Sequence, residues 1–184
     1  IKRIDVFDNS NLFGSFAVSG MVVYEDGLPS KSKYRKYKVM VDKNDDYNTM
    51  KEVIYRRYYR ALIDKDLPDL ILVDGGLTQI KAGNEILNSI NANIPLFGLF
   101  KNDKHQTKGL MDKNGNIYEI NNKNLFFLLV RMQDEVHRFT ISYHKEIRSK
   151  GSIASVLDNV DGIGKKRKEV LIKKYGSIKK ISEA

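Results

Sequence analysis

Arg3-Ile4-Asp5-Val6-Phe7-Asp8-Asn9-Ser10 reads as a buried strand that ends on a carboxylate, Asp8, and then breaks into polar turn residues. Pro68-Asp69-Leu70-Ile71-Leu72-Val73-Asp74-Gly75-Gly76 repeats the design: an apolar run, an aspartate at its end, and a glycine turn leading into a helix. If the two strands are parallel neighbours, their ends lie roughly 5 Å apart. Carboxylates that close repel one another unless a positive charge sits between them, and a divalent cation with oxygen ligands meets that need. Either aspartate alone reads first as a cap for the turn or helix that follows it. As a pair at the carboxyl ends of neighbouring strands, they read as a metal site.

Outward from this pair, Asn9 to Gly14 is expected to turn, and Ser15 to Tyr24 to form a second strand. Glu25-Asp26-Gly27 is a hairpin signal, and the lysine-rich, aromatic run Lys33 to Met40 suits an exposed edge strand. Asp45 or Asp46 caps a helix in which Tyr47, Met50, Ile54, Tyr58 and Ala61 share one face, with Arg56, Arg57 and Arg60 largely on the other. A second helix is expected over Leu77 to Ile90 and a buried strand over Pro95 to Phe100. Lys101 to Gly109 reads as a polar loop, and Asn114-Gly115 as a two-residue hairpin turn within Leu110 to Ile120. Leu125, Leu128, Leu129, Met132 and Val136 mark one face of a further helix that carries Asp134, Glu135 and His137. An antiparallel meander followed by helix-linked parallel strands is the order of the ribonuclease H-like α/β folds. In that order the strand after the first helix pairs with the first strand and brings Asp74 beside Asp8.

The charge is unevenly distributed. The net charge is +9, yet the segment from Lys145 onward holds 11 basic and 5 acidic residues, leaving only +3 for the first 144. A basic piece on a nearly neutral body suits a polyanion such as nucleic acid, although a solvated lysine-rich helix surface has the same composition. The absence of cysteine excludes disulfides and thiolate metal sites, which fits a reducing cytoplasm. No apolar run approaches the length of a membrane span, and the start at Ile1 without a methionine points to a fragment of a longer protein.

The domain expectation is therefore a catalytic body over 1–144, a polar linker over 145–152, and a small helical element over 153–184. In the last, Ile153 to Asp158 and Lys165 to Tyr175 form two helices around Val160-Asp161-Gly162-Ile163-Gly164. The glycines let backbone approach a ligand, and the following helix start with Lys165, Lys166, Arg167 and Lys168 suits phosphate. Such a contact positions DNA without reading its sequence. His137, three residues after Asp134, is a candidate metal ligand or general base if its helix packs near the two aspartates; otherwise it is an ordinary surface histidine. Asp46 reads as a helix cap, or as a group orienting metal-bound water.

Taken in order, Phe7-Asp8-Asn9-Ser10-Asn11, Asp45-Asp46-Tyr47, Arg56-Arg57-Tyr58, Leu70 to Gly76, Lys104-His105 and Asp134-Glu135-Val136-His137-Arg138-Phe139 resemble the C-terminal half of the bacterial UvrC family. The resemblance covers essentially the whole chain. It implies a ribonuclease H-like endonuclease domain followed by the start of a helix-hairpin-helix DNA-binding region. It also implies a 5′ incision at damaged double-stranded DNA in nucleotide excision repair, in an assembly with UvrB. The family's catalytic Asp-Asp-His set falls on Asp8, Asp74 and His137, and a further important aspartate on Asp46. Phe13, Leu77-Thr78 and Gln133 depart from frequent family residues, with expected effects on DNA contacts or metal affinity. A full-length member would also carry an N-terminal GIY-YIG nuclease domain, a UvrB-binding segment and a second hairpin.

These readings combine into a cytoplasmic endonuclease using Mg²⁺ or Mn²⁺ held by Asp8, Asp74 and His137. Activity is expected to fall below roughly pH 6 as histidine protonates. The alternative is a non-catalytic DNA-binding and protein-docking module. A nucleotide-binding α/β domain is disfavoured, because the glycine turns after strands lack a G-x-G-x-x-G or phosphate-loop pattern.

Overall fold

The computed structural model describes residues 1–11, 16–40 and 45–183. Of the expected turn, Asn9 to Asn11 are strand, whereas Leu12, Gly14 and the family departure at Phe13, with Ser15 of the expected second strand, lie outside the described residues. Among the described residues, eight strands form one mixed sheet. The elements are β1 (Arg3–Asn11), β2 (Phe16–Glu25), β3 (Leu28–Pro29), β4 (Arg35–Met40), α1 (Asp46–Asp64), β5 (Leu70–Asp74), α2 (Leu77–Ser89), β6 (Leu96–Lys101), β7 (Thr107–Met111), β8 (Ile117–Glu119), α3 (Lys123–Asp158), α4 (Lys165–Tyr175) and α5 (Ile178–Ser182). The sheet order is β3-β2-β1-β5-β6-β7-β8, with β4 beside β2, as expected of a ribonuclease H-like sheet. The chain divides into two units, Ile1–Ile141 and Ser142–Ala184.

Strand alternation gives the first unit two cores. Phe7, Met21, Val23, Ile71 and Val73 face α1 and α2, where Met50, Ile54, Tyr58 and Ile80 close the layer. Val6, Val22, Leu70, Leu72 and Leu99 face the other way and pack on Leu129, Met132 and Val136 of α3. Gly20 of β2 allows α3 to come down onto the sheet: a Cβ there would overlap Thr140 Oγ1 and lie 3.0 Å from Phe139 Cδ1. The hairpin at Asp26-Gly27 has both residues at positive φ, 50° and 80°, as a tight two-residue turn requires.

Several local expectations are corrected. Arg57 is buried: its Nη2 donates to Asp66 at 3.0 Å and its Nε lies 4.0 Å from Asp5. Three residues after Ile54 and four before Ala61, it lies on the buried face of the helix, where the two carboxylates neutralise it. At Asn114-Gly115 the connection is a three-residue loop, closed by Asp112 N–H donating to the Asn116 carbonyl at 3.0 Å, with Gly115 at φ 85°. Asp112 accepts from the Asn114 and Asn116 N–H groups and so favours the longer turn. The expected linker 145–152 lies within helix α3. Lys145, Glu146, Arg148 and Lys150 are good helix formers, and Glu146 pairs with Lys150 at 2.6 Å in the favourable i, i+4 order. Lack of an apolar stripe there marks a helix that is polar all round, not a break. Ile153 to Asp158 is accordingly the end of α3 and not a separate helix.

In the second unit, α4 starts at Gly164, extended at φ −75°, ψ 170°, and ends on Gly176 at φ 66°. Gly162 turns the chain at φ 83°.

Candidate metal centre

The stripes that build the α3-side core change character at their last positions. Along β1 the inward sequence Ile4, Val6 ends on Asp8; along β5, Leu70 and Leu72 end on Asp74; along β6, Phe97 and Leu99 end on Lys101. Parallel pairing sets Asp8 directly opposite Asp74, the register predicted from the sequence. α3 supplies the fourth group. Asn122 caps its start by accepting from Leu125 N–H at 3.0 Å, and burial of Met132 and Val136 fixes its rotation. His137 follows Val136 and sits over the strand ends, its Nδ1 3.3 Å from Asp8 Oδ2.

Asp8, Asp74 and His137 each offer a ligand atom within 4.8 Å of the others. They line a cavity of about 400 Å³ together with Gly75, Gly76 and Lys101. Asp8 is nine-tenths buried and His137 62% exposed, so the cluster is closed below and open to solvent above. Burial, reinforced by the Asp74 charge, pushes the Asp8 carboxyl up to about 7, against the pull of His137 and Lys101. A pair of carboxylates in this state is short of positive charge.

Asp74 does not cap α2. Gly76 holds that position, its N–H donating to Gln79 Oε1 at 2.6 Å, which leaves the Asp74 carboxylate to the cavity. There it accepts from Lys101 Nζ at 2.6 Å and from Gln133 Nε2 at 3.4 Å. Local pattern makes Lys101 only the first residue of a loop. The signal that finds it is that β6, like β1 and β5, ends on a charge after an apolar run.

Asp46 stands apart from the three. Asp45 is the cap of α1, accepting from Asn48 N–H at 2.9 Å, and Asp46 is the first helical residue, accepting from Asn11 Nδ2 at 2.9 Å. It lines a neighbouring polar hollow with Tyr47, Thr78 and Gln79, and this hollow shares Gly76 with the main cavity. Asp134, on the turn before His137, is exposed beside His105, Gln106 and Lys108. In the second unit, Lys165, Lys166 and Arg167 are exposed at the start of α4. Arg167 Nη1 donates to the Gly162 carbonyl at 3.0 Å, and Lys168 pairs with Asp158. Space beside Gly162 and Gly164 is open.

Residues 1–141 match the family model of the UvrC RNase H endonuclease domain. The chain is 48% identical, over 99% of its length, to UvrABC system protein C of Streptococcus uberis, and spans about a third of that relative (32%). Among solved structures it is similar to human endonuclease V (16% identity, TM-score 0.39, covering 63% of this chain and 61% of that one). Endonuclease V of Ciona intestinalis, in complex with a 24mer DNA containing an inosine followed by a ribo-adenosine, is similar at 17% identity and TM-score 0.38 (58% and 51% covered). The matched segment ends where the first compact unit ends, and it contains the whole Asp8, Asp74 and His137 cluster; the chain belongs to the UvrC family, of which it carries the RNase H endonuclease domain.

Proposed function

We infer that this chain is a metal-dependent DNA endonuclease that makes the 5′ incision at damaged double-stranded DNA in bacterial nucleotide excision repair. The observation that carries the reading is the convergence of Asp8, Asp74 and His137 in one open cavity of a UvrC endonuclease domain. The donor set fits a hard divalent ion. It offers carboxylate oxygens and an imidazole without thiolates, and burial, with the Asp74 charge beside it, raises the Asp8 carboxyl to about 7. Asp8, Asp74 and His137 would hold Mg²⁺ or Mn²⁺. When bound, such an ion supplies Lewis-acid stabilisation of a phosphoryl group and lowers the pKa of water.

The chain's own residues do the rest. Asp8 must give up its proton for the site to load. His137 either completes the ligand set or takes the proton of the attacking water, and both roles need the neutral imidazole. Asp46, one hollow away, serves by orienting water or the DNA strand. Gly162, Gly164, Lys165, Lys166, Arg167 and Lys168 bind duplex phosphates, with backbone N–H groups at the α4 start and lysines beside them. UvrB is the protein partner, within the UvrABC system named for the Streptococcus uberis relative, and the bacterial cytoplasm is the compartment.

The test is nicking of supercoiled plasmid with Mn²⁺ or Mg²⁺, beside Asp8→Asn and an EDTA control. Cleavage lost in both controls, with DNA binding retained by Asp8→Asn, is the expected result. Cleavage that survives Asp8→Asn removes the strand-end site from the reaction. Salt-sensitive binding without any cleavage means either that further domains of the full-length protein are needed to present DNA or that the chain is a non-catalytic docking module.

A further inference from the structure

Lys101 occupies the Asp74 carboxylate on the side open to the cavity, and nothing in the metal-centre reading uses it. Its placement is specific. The pairing of β6 with β7 slips between Phe100 and Lys101, a β-bulge of the kind that re-aims a side chain at a sheet end. The lysine side chain is one-third exposed, on a flexible stem, while its carboxylate partner is only 5% exposed. Lysine is also a compact point charge that can leave one anion for another without a fixed fork geometry.

Charge counting shows what this does. With no ion bound, the Lys101 ammonium lies 2.6 Å from the Asp74 carboxylate, in the cavity where a divalent ion would use that carboxylate. With a divalent ion and both carboxylates ionised, the carboxylates cancel the ion and Lys101 leaves the cavity at +1. A single phosphodiester carries the −1 that restores neutrality.

We propose that Lys101 is a displaceable counter-cation that links metal loading to arrival of the DNA backbone. It holds Asp74 when the site is empty, opposes the incoming ion, and transfers to a phosphate oxygen of the bound strand. This rests on the metal-dependent reading above. Linkage then requires DNA and ion to strengthen each other's binding by the same factor.

The experiment measures Mn²⁺ affinity by calorimetry for the wild type, Lys101→Met and Lys101→Arg, with and without a duplex carrying a non-hydrolysable phosphorothioate backbone. Circular dichroism checks that each variant folds. Removing the competing cation should tighten Mn²⁺ binding in the absence of DNA by roughly tenfold, the scale of an ordinary coupling. DNA should tighten Mn²⁺ binding to the wild type and, to a smaller extent, to Lys101→Arg, whose fork holds a carboxylate more firmly, but change Lys101→Met little. In plasmid nicking, Lys101→Met should raise KM for DNA more than it lowers kcat. Equal or weaker Mn²⁺ binding by folded Lys101→Met, with wild-type binding intact, overturns the proposal and leaves the metal site standing. No Mn²⁺ binding by any variant overturns both.

Discussion

Asp8→Asn should make the metal-free protein more stable at alkaline pH, although it destroys the site. The Asp8 carboxyl is pushed up to about 7 from an ordinary 3.8. The folded state therefore binds this proton more tightly than the unfolded chain does. Between those two values the native protein carries more protons, so stability declines as pH rises, levelling off above the folded value. At about 1.36 kcal/mol per unit of pKa, the ionised carboxylate costs ~4 kcal/mol at pH 8 and next to nothing at pH 4. Asparagine keeps the shape and never ionises. In EDTA, urea unfolding of wild type and Asp8→Asn should thus nearly coincide near pH 4. By pH 8 the variant should lead by a few kcal/mol, worth roughly 10 °C in Tm for a chain of this size. Adding Mn²⁺ at a hundredfold its Kd should restore about 2.7 kcal/mol to the wild type and nothing to the variant. A difference that does not change with pH, or one that favours the wild type at pH 8 in EDTA, would refute the claim that Asp8 is an undercompensated buried charge.

Gly20→Ala should cost ~1–3 kcal/mol, because the new methyl overlaps Thr140 and pushes α3 off the sheet. Since α3 carries His137, Mn²⁺ affinity should fall with Tm, and a variant with unchanged metal affinity would disconnect helix seating from the site. Tyr58→Phe removes the hydroxyl that donates to Asp5 Oδ2 at 2.8 Å in the buried core, and thermal unfolding should show a loss of ~1–3 kcal/mol. Lys165→Ala with Lys166→Ala should flatten the salt dependence of DNA binding, by a slope of ~0.9 for each phosphate that is no longer neutralised, without altering Mn²⁺ affinity. An unchanged slope would place the DNA-binding surface elsewhere.

The sheet order, the pairing of Asp8 with Asp74 and the placement of His137 were legible because each rests on a strong periodic signal. Apolar runs of strand length, a helical stripe at Leu129, Met132 and Val136, and glycine after Asp74 leave little freedom of register. What the sequence hid depends on interactions between segments far apart. Helical spacing already puts Arg57 on the buried face, but the partners that neutralise it there, Asp5 and Asp66, are not revealed by any local period. Lys101 enters the cavity through a bulge, and a bulge has no compositional mark in β6. Residues 145–152 lack an apolar face and include Ser149, Gly151 and Ser152, so only the Glu146–Lys150 pair and the helix formers around it point to a helix. Asp46 matched a motif, but its side chain faces Asn11 and the neighbouring hollow, not the cluster.

The strand β1 carries two buried aspartates three residues apart, and the fold treats them oppositely. Asp5 points toward α1, where Arg3 Nε lies 3.0 Å from one oxygen and the Tyr58 hydroxyl donates to the other. Burial raises its pKa, while Arg3, Tyr58 and Arg57 pull it down. Its partners are fixed in the core, and truncating one would leave a buried charge unpaired at a cost of ~3–5 kcal/mol. Asp8 points toward α3, where its neighbours are another carboxylate, an exposed imidazole and a lysine already engaged with Asp74. The same strand thus contains one anion whose neutralisation is built into the protein and one whose neutralisation must come from outside. Alternation of side chains across the sheet decides which is which: odd positions face the arginine-bearing helix, even positions the α3 side, where Asp8 at the strand end reaches the open cavity. A one-residue slip of β1 would exchange the two environments, so the register that builds the core also creates the demand for a cation.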